Sequence, residues 1–307
     1  MQTLQQIIDI EQFNNLEWIA TQVVEGFIAG THRSPFHGFS AEFAEHRLYN
    51  QGESTRHIDW KLFARTDKFF VKQYNEETNL RCHILLDTSS SMLFPMEKNG
   101  KGSKLSFGIY CTAALTHLLR RQRDAVGLTL FSDGIDFQTD ARLTESHIKL
   151  IYSQLNQLLI SQSKAQLNRK TDLSQALHTI ADNIHRRSLV VLFSDLFTSN
   201  QDELVHAIEH LKYNKHEVVV FQLTDCEHEQ NLKFKNRPIK FVDMETGETI
   251  KLNPNEIRQF YQQQMAKQNA TLRTRCGQLN IDFVEADINQ PFADVLSAFL
   301  IKRSRCF

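Results

Sequence analysis

From Arg81 onward the chain alternates strand-sized apolar runs with helical stretches, and that rhythm restricts the fold more than any other feature. Cys82–Leu86 is a short run that stops at Asp87, and a Ser-rich loop and a helix from about Lys104 to Arg121 follow it. Val126–Phe131 and Ile135–Phe137 flank Asp133-Gly134, which predicts a tight hairpin with both central residues at positive φ. The spacing then predicts helices over about Glu145–Leu159 and Leu173–Ile184, a strand Leu189–Ser194 ending at Asp195, a helix Asp202–Leu211 and a strand Glu217–Leu223. Lys240–Val242 and Glu248–Leu252 bracket Thr246-Gly247 as a second hairpin. A helix from about Asn255 to Arg273, a strand Ile281–Val284 and a final helix Phe292–Lys302 complete the pattern. Such alternation implies an α/β fold, Rossmann-like, whose doubly wound and mostly parallel sheet is covered on both faces, with the hairpins as antiparallel edges. Upstream, Leu16, Ile19, Val23 and Phe27 predict an amphipathic helix. We divide the chain into a leader, residues 1–79, and a sheet domain, residues 80–307, with the hairpin at about 238–252 inserted.

Composition excludes several classes. With 11 Gly and 5 Pro in 307 residues, linker-like and collagenous readings fail. A net charge of -1 argues against a polyanion binder, so no nucleic-acid partner is expected. The five cysteines, Cys82, Cys111, Cys226, Cys276 and Cys306, form no Cys-x-x-Cys pair, which suits reduced thiols. The longest apolar runs are far below the length of a transmembrane helix, and Met1–Ile10 lacks a signal-peptide pattern. The expectation is a cytoplasmic protein with no membrane span.

Two strands end alike, in Leu85-Leu86-Asp87 and in Leu192-Phe193-Ser194-Asp195. Ser89 and Ser91 follow the first, and Thr171 stands ahead of the Leu173 helix. In a doubly wound sheet ligands sit outside the carboxyl ends of the strands, where the winding reverses. Asp87, Ser89, Ser91, Thr171 and Asp195 therefore form a candidate oxygen-only metal site, suited to Mg, or Mn, rather than Zn. Neutral hydroxyls donate weakly, so such an ion keeps an open position for a partner's carboxylate. Taken singly, each segment is ordinary turn chemistry and Thr171 is a helix N-cap. Their occurrence together, in order and at strand ends, carries the reading.

Asp87-x-Ser89-x-Ser91, Thr171 and Asp195 resemble the metal-ion-dependent adhesion site of von Willebrand factor A domains. The upstream residues Glu42-Phe43, Arg47-x-Tyr49, Gly52-Glu53, Arg56-x-Ile58-Asp59-Trp60 and Ala64-Arg65 resemble the bacterial domain-of-unknown-function family fifty-eight. Members of that family join such a leader to a von Willebrand A-like domain. The Arg-x-Ile-Asp-Trp segment is the most specific part of the resemblance, and Arg56, Asp59, Trp60 and Arg65 form a family motif of unknown role. Glu53 departs from the family's more frequent Asp. What the resemblance implies is a non-enzymatic adaptor for a MoxR-type AAA+ ATPase, acting on a protein client, with Mg bridging to an acidic residue. The alternative is a metal-dependent phosphotransfer hydrolase using Asp87.

Other motifs carry less. His206-Ala-Ile-Glu209-His210 has the spacing of an inverted zinc peptidase motif, but Leu204, Val205, Ile208 and Leu211 predict a helix that turns all three outward. A haloacid-dehalogenase-like phosphatase needs a second carboxylate where Ser89 stands. Lys98-Asn99-Gly100-Lys101-Gly102-Ser103-Lys104 lacks phosphate-loop spacing and reads as an exposed loop entering a helix. The basic clusters Arg120-Arg121, Arg186-Arg187 and Lys302-Arg303 fall at predicted helix ends, where they complement the macrodipole.

Overall fold

The structure, a computed structural model, describes residues 16–30, 43–48, 60–74, 80–95, 102–161, 173–198 and 200–296. The chain forms two compact units, residues 36–79 and the remainder. The smaller unit pairs β1 (Phe43–Leu48) antiparallel with β2 (Phe70–Tyr74), with the short helix α2 (Trp60–Thr66) between them in sequence. The first described element of the larger unit is helix α1 (Leu16–Gly30), whose Leu16, Ile19, Ala20 and Val24 are buried.

Six of the described strands of the larger unit are β3 (Arg81–Asp87), β4 (Ala125–Phe131), β5 (Ile135–Gln138), β6 (Leu189–Ser194), β7 (Glu217–Thr224) and β10 (Asp282–Asp287). They form one sheet in the order β10-β7-β6-β3-β4-β5, parallel throughout except for β5 at the edge. Helices α3 (Lys104–Arg121), α4 (Glu145–Ser161), α5 (Leu173–Asn183), α6 (Gln201–Tyr213) and α7 (Pro254–Gln278) connect them, and a further helix begins at residue 292. After β3, β4 and β5 the chain returns to place β6 on the other side of β3, so the winding reverses beside β3.

Successive strand residues point to opposite faces, and the contacts follow that rule. A Cβ on Gly108 of α3 would meet Leu86, Leu223 and Phe193. Their chain neighbours Leu85 and Leu192 instead join the cluster made by Leu177 and Ile180 of α5, Leu204 and Ile208 of α6, and Leu272 of α7. Both faces are therefore covered, which explains why β3, β6 and β7 are near-continuous apolar runs rather than alternating ones. The fold is mixed α/β and compatible with a Rossmann-like arrangement.

Two expectations are corrected. Neither Asp133 nor Gly134 takes a positive φ. A three-residue loop, with the Ser132 N–H donating to Gly134 O at 2.9 Å, joins β4 and β5, and a register shift at Leu130/Phe131 absorbs the difference. The second hairpin, β8 (Ile239–Val242) with β9 (Thr249–Leu252), is a separate two-stranded sheet and not an edge of the main one. There Gly247 does take a positive φ of 74°. Among the described residues no helix is long and apolar enough to cross a membrane, and Cys82, Cys111, Cys226 and Cys276 are free thiols.

Candidate functional site

Asp87 ends β3, and Asp195 follows β6 directly, so adjacent parallel strands deliver both carboxylates to one edge. The backbone fixes Asp87 firmly. Its Oδ1 accepts from Ser89 N–H at 2.9 Å and its Oδ2 from Ser194 Oγ at 2.6 Å. Ser89 and Ser91 bracket the start of a 3₁₀ turn, Ser90–Leu93, and their hydroxyls lie 3.0 Å apart. Past Asp195 the chain bends at Leu196, a buried residue at φ 56° whose N–H donates to Ser194 Oγ at 3.0 Å. A non-glycine residue held in the left-handed region next to a candidate ligand is the kind of strain that functional sites store. Of the five residues expected here, Asp87, Ser89, Ser91 and Asp195 come together. Thr171 lies outside the described residues, as do Arg56 and Asp59.

The electrostatics pair two unequal carboxylates. Burial, together with the Asp195 charge nearby, pushes Asp87 up to about 7, against the pull of the Ser194 and Ser89 hydrogen bonds. Burial also opposes the charge on Asp195, but the Lys104 ammonium and donors from Phe197 and Ser91 outweigh it and hold its pKa below the ordinary value. The sequence places Lys104 at a helix start reached from an exposed loop, and the helix does begin there, but the side chain is not exposed. It is 2% exposed, the first residue of α3 behind the N-cap Ser103. Its Nζ lies 2.8 Å from Asp195 Oδ2 and 2.6 Å from Glu229 Oε1. The other Glu229 oxygen accepts from Asp225 N–H at 3.0 Å. Glu229 belongs to a π-helical turn, Cys226–Gln230, capped by the buried Asp225. Asp225 also accepts from His228 Nδ1 at 2.7 Å and from Asn289 Nδ2 at 2.9 Å.

Lys104, Glu229 and Ser194 escaped sequence reasoning. A signal existed for part of this: β7 and β10 also run out into Asp225 and Asp287, so four neighbouring parallel strands end in aspartate. Nothing in the linear spacing links Lys104 to Glu229.

The donor set fits a hard divalent cation. Carboxylate oxygens have about four lone-pair sites between them, and Asp87 has committed two to the Ser89 N–H and the Ser194 hydroxyl. Hydroxyls and carboxylates are the ligand types that Mg and Mn accept. Among the described residues no group of three or more His, Cys, Asp or Glu forms a metal site, so a site here depends on the serine hydroxyls. The zinc-peptidase spacing resolves differently. His206 and Glu209 are exposed, whereas His210, expected to point outward with them, turns to α5 and places its Nδ1 2.9 Å from that of His178. In the smaller unit, Trp60 is 59% exposed and its ring meets Phe63 and Phe69 edge-on.

A sequence model of the family described as "Protein of unknown function DUF58" matches residues 45–271. Uncharacterized proteins of Mycobacterium tuberculosis and Mycobacterium bovis are 25% identical over 211 residues, covering 68% of this chain. The chain spans 63% of the length of those relatives. A conserved hypothetical protein, BatB, from Bacteroides thetaiotaomicron covers 74% of this chain and 100% of its own at 17% identity and a TM-score of 0.41. An uncharacterized membrane spanning protein from Vibrio fischeri covers 74% of this chain and 98% of its own at 14% identity and a TM-score of 0.23.

Proposed function

The chain belongs to the DUF58 family, and from that premise we propose that it is a metal-dependent protein-interaction module of the von Willebrand A type, an adaptor between a MoxR-type AAA+ ATPase and a protein client. The observation that supports this is the meeting of Asp87, Asp195, Ser89 and Ser91 at the carboxyl edge where the winding reverses. The ion, Mg or Mn, supplies an electropositive point with an open position for an acidic side chain. Asp87 and Asp195 hold the charge, Ser89 and Ser91 present hydroxyls, and Ser194 with the Ser89 N–H orients Asp87. Thr171 completes the set by its likeness to the adhesion site.

Nothing in this arrangement requires a reaction. Asp87 as a phosphoryl acceptor lacks a proton-shuttling partner at Ser89, so the hydrolase reading predicts phosphomonoesterase activity lost in Asp87→Asn, and we expect none.

Thermal unfolding of the full chain in millimolar MgCl₂ or MnCl₂ tests the metal reading. At a hundred times the dissociation constant the ligand adds about 2.7 kcal/mol, which moves the melting temperature by several degrees. Asp87→Ala abolishes the shift. An equal shift in wild type and variant, or none in either, refutes the site.

A further inference from the structure

The cation nearest the candidate metal site belongs to the protein. Lys104 is 2% exposed, and its ammonium lies between Asp195 at 2.8 Å and Glu229 at 2.6 Å. A buried ammonium is stable only when anions compensate its lost hydration, and this one draws on an acid that a metal would also need. We propose that Lys104 is a tethered cation that competes with the divalent ion for Asp195, and that Glu229 sets the strength of the competition by drawing the ammonium away. The proposal deepens the metal-site reading and rests on it.

The competition is one of charge at close range. A positive group within a few ångströms of a divalent ion opposes its binding, at the effective dielectric of a protein, strongly enough to change affinity roughly tenfold or more. Removing Lys104 lifts that repulsion and leaves Asp195 and Glu229 uncompensated in a buried setting, which only another cation relieves. Removing the Glu229 charge acts in the opposite sense, because Lys104 then has Asp195 as its one anionic partner among those described and holds it harder. The lysine also links the site to a distance. Glu229 hangs from Asp225 N–H through its second oxygen, so whatever takes Asp195 from Lys104 changes the load on the Cys226–Gln230 turn.

Mn²⁺ binding by isothermal titration to the full-length wild type, Lys104→Met, Glu229→Gln and Asp87→Ala decides the matter. The expected result is a dissociation constant roughly tenfold or more lower in Lys104→Met and several-fold higher in Glu229→Gln. A merely structural lysine would lower affinity in both variants or leave it unchanged, and either outcome overturns the proposal. If Lys104→Met fails to fold, the neutral Lys104→Gln, whose amide can still donate to Asp195 and Glu229, takes its place with the same expected gain in affinity, and unchanged or weaker Mn²⁺ binding by it overturns the proposal. Tight binding by Lys104→Met with none by wild type supports the competition. Wild-type binding with both variants within twofold of it removes the competition and leaves the metal site standing. No binding by any variant removes both.

Discussion

His83 occupies the middle of β3 at 4% exposure, and its Nδ1 has no hydrogen-bond partner. Burial, reinforced by His216, lowers its pKa from 6.5 to about 4, with Asp140 pulling weakly the other way and His185 and Arg81 adding to the depression. The folded chain thus declines a proton that the unfolded chain accepts below 6.5. Stability from this group is complete above that pH and is lost as pH falls through about 4, by about 3 kcal/mol in all. Urea denaturation between pH 7 and 4 should therefore show a shallower loss in His83→Leu than in wild type, and parallel curves would refute this. The same scale explains what could be read from sequence at the site. Asp87 and Asp195 were legible because a carboxylate at the end of an apolar run is a local pattern. Lys104 was not, because its burial depends on Asp195 and on Glu229, 125 residues away, and nothing local at the predicted helix start signals that its side chain turns inward.

At the scale of elements, the strands and helices of the larger unit were largely legible. Helix Lys104–Arg121 and strand Leu189–Ser194 fall where the periodicity predicts them. Period and length suffice when a segment is long or fully apolar. The connections were less so, since a turn depends on how the sheet presents its ends. At β4 to β5 the Asp-Gly signal was overridden by a bulge, and one glycine shows what the sheet demanded there. A Cβ on Gly127 would stand 2.8 Å from both His83 Nδ1 and Thr139 O and 3.0 Å from Ala141 N. Two of these three atoms are backbone and cannot swing aside. Gly127→Ala should cost about 1–3 kcal/mol by overpacking, and should loosen the residue 139–142 segment that bridges back to Val126. Denaturant midpoints measure the first and amide exchange at Arg142 the second. A variant as stable as wild type would mean that the segment shifts freely.

For the whole molecule, a net charge of -1 argues against a polyanion binder but hides how charge is distributed. Asp87, Asp195, Glu229 and Asp225 are gathered at one edge, with the buried Lys104 among them. An acidic partner approaching that edge meets repulsion unless a cation intervenes, so the proposed contact should require both the metal and Asp87. Capture on immobilised full-length chain checks this at the level of partners. In millimolar Mg²⁺ the eluate should contain an AAA+ ATPase. Chelation, or Asp87→Ala, should lower its recovery roughly tenfold, the effect of about 1.4 kcal/mol. Glu203→Gln, in the cleft between α5 and α6 with Ser174 and His178, leaves the edge untouched and should retain full recovery. Recovery that ignores both Mg²⁺ and Asp87 would place the ATPase contact elsewhere on the chain. The exposed aromatic group of Trp60 and Phe69 in the smaller unit, a surface whose chemistry does not depend on a metal, would then be the next to mutate.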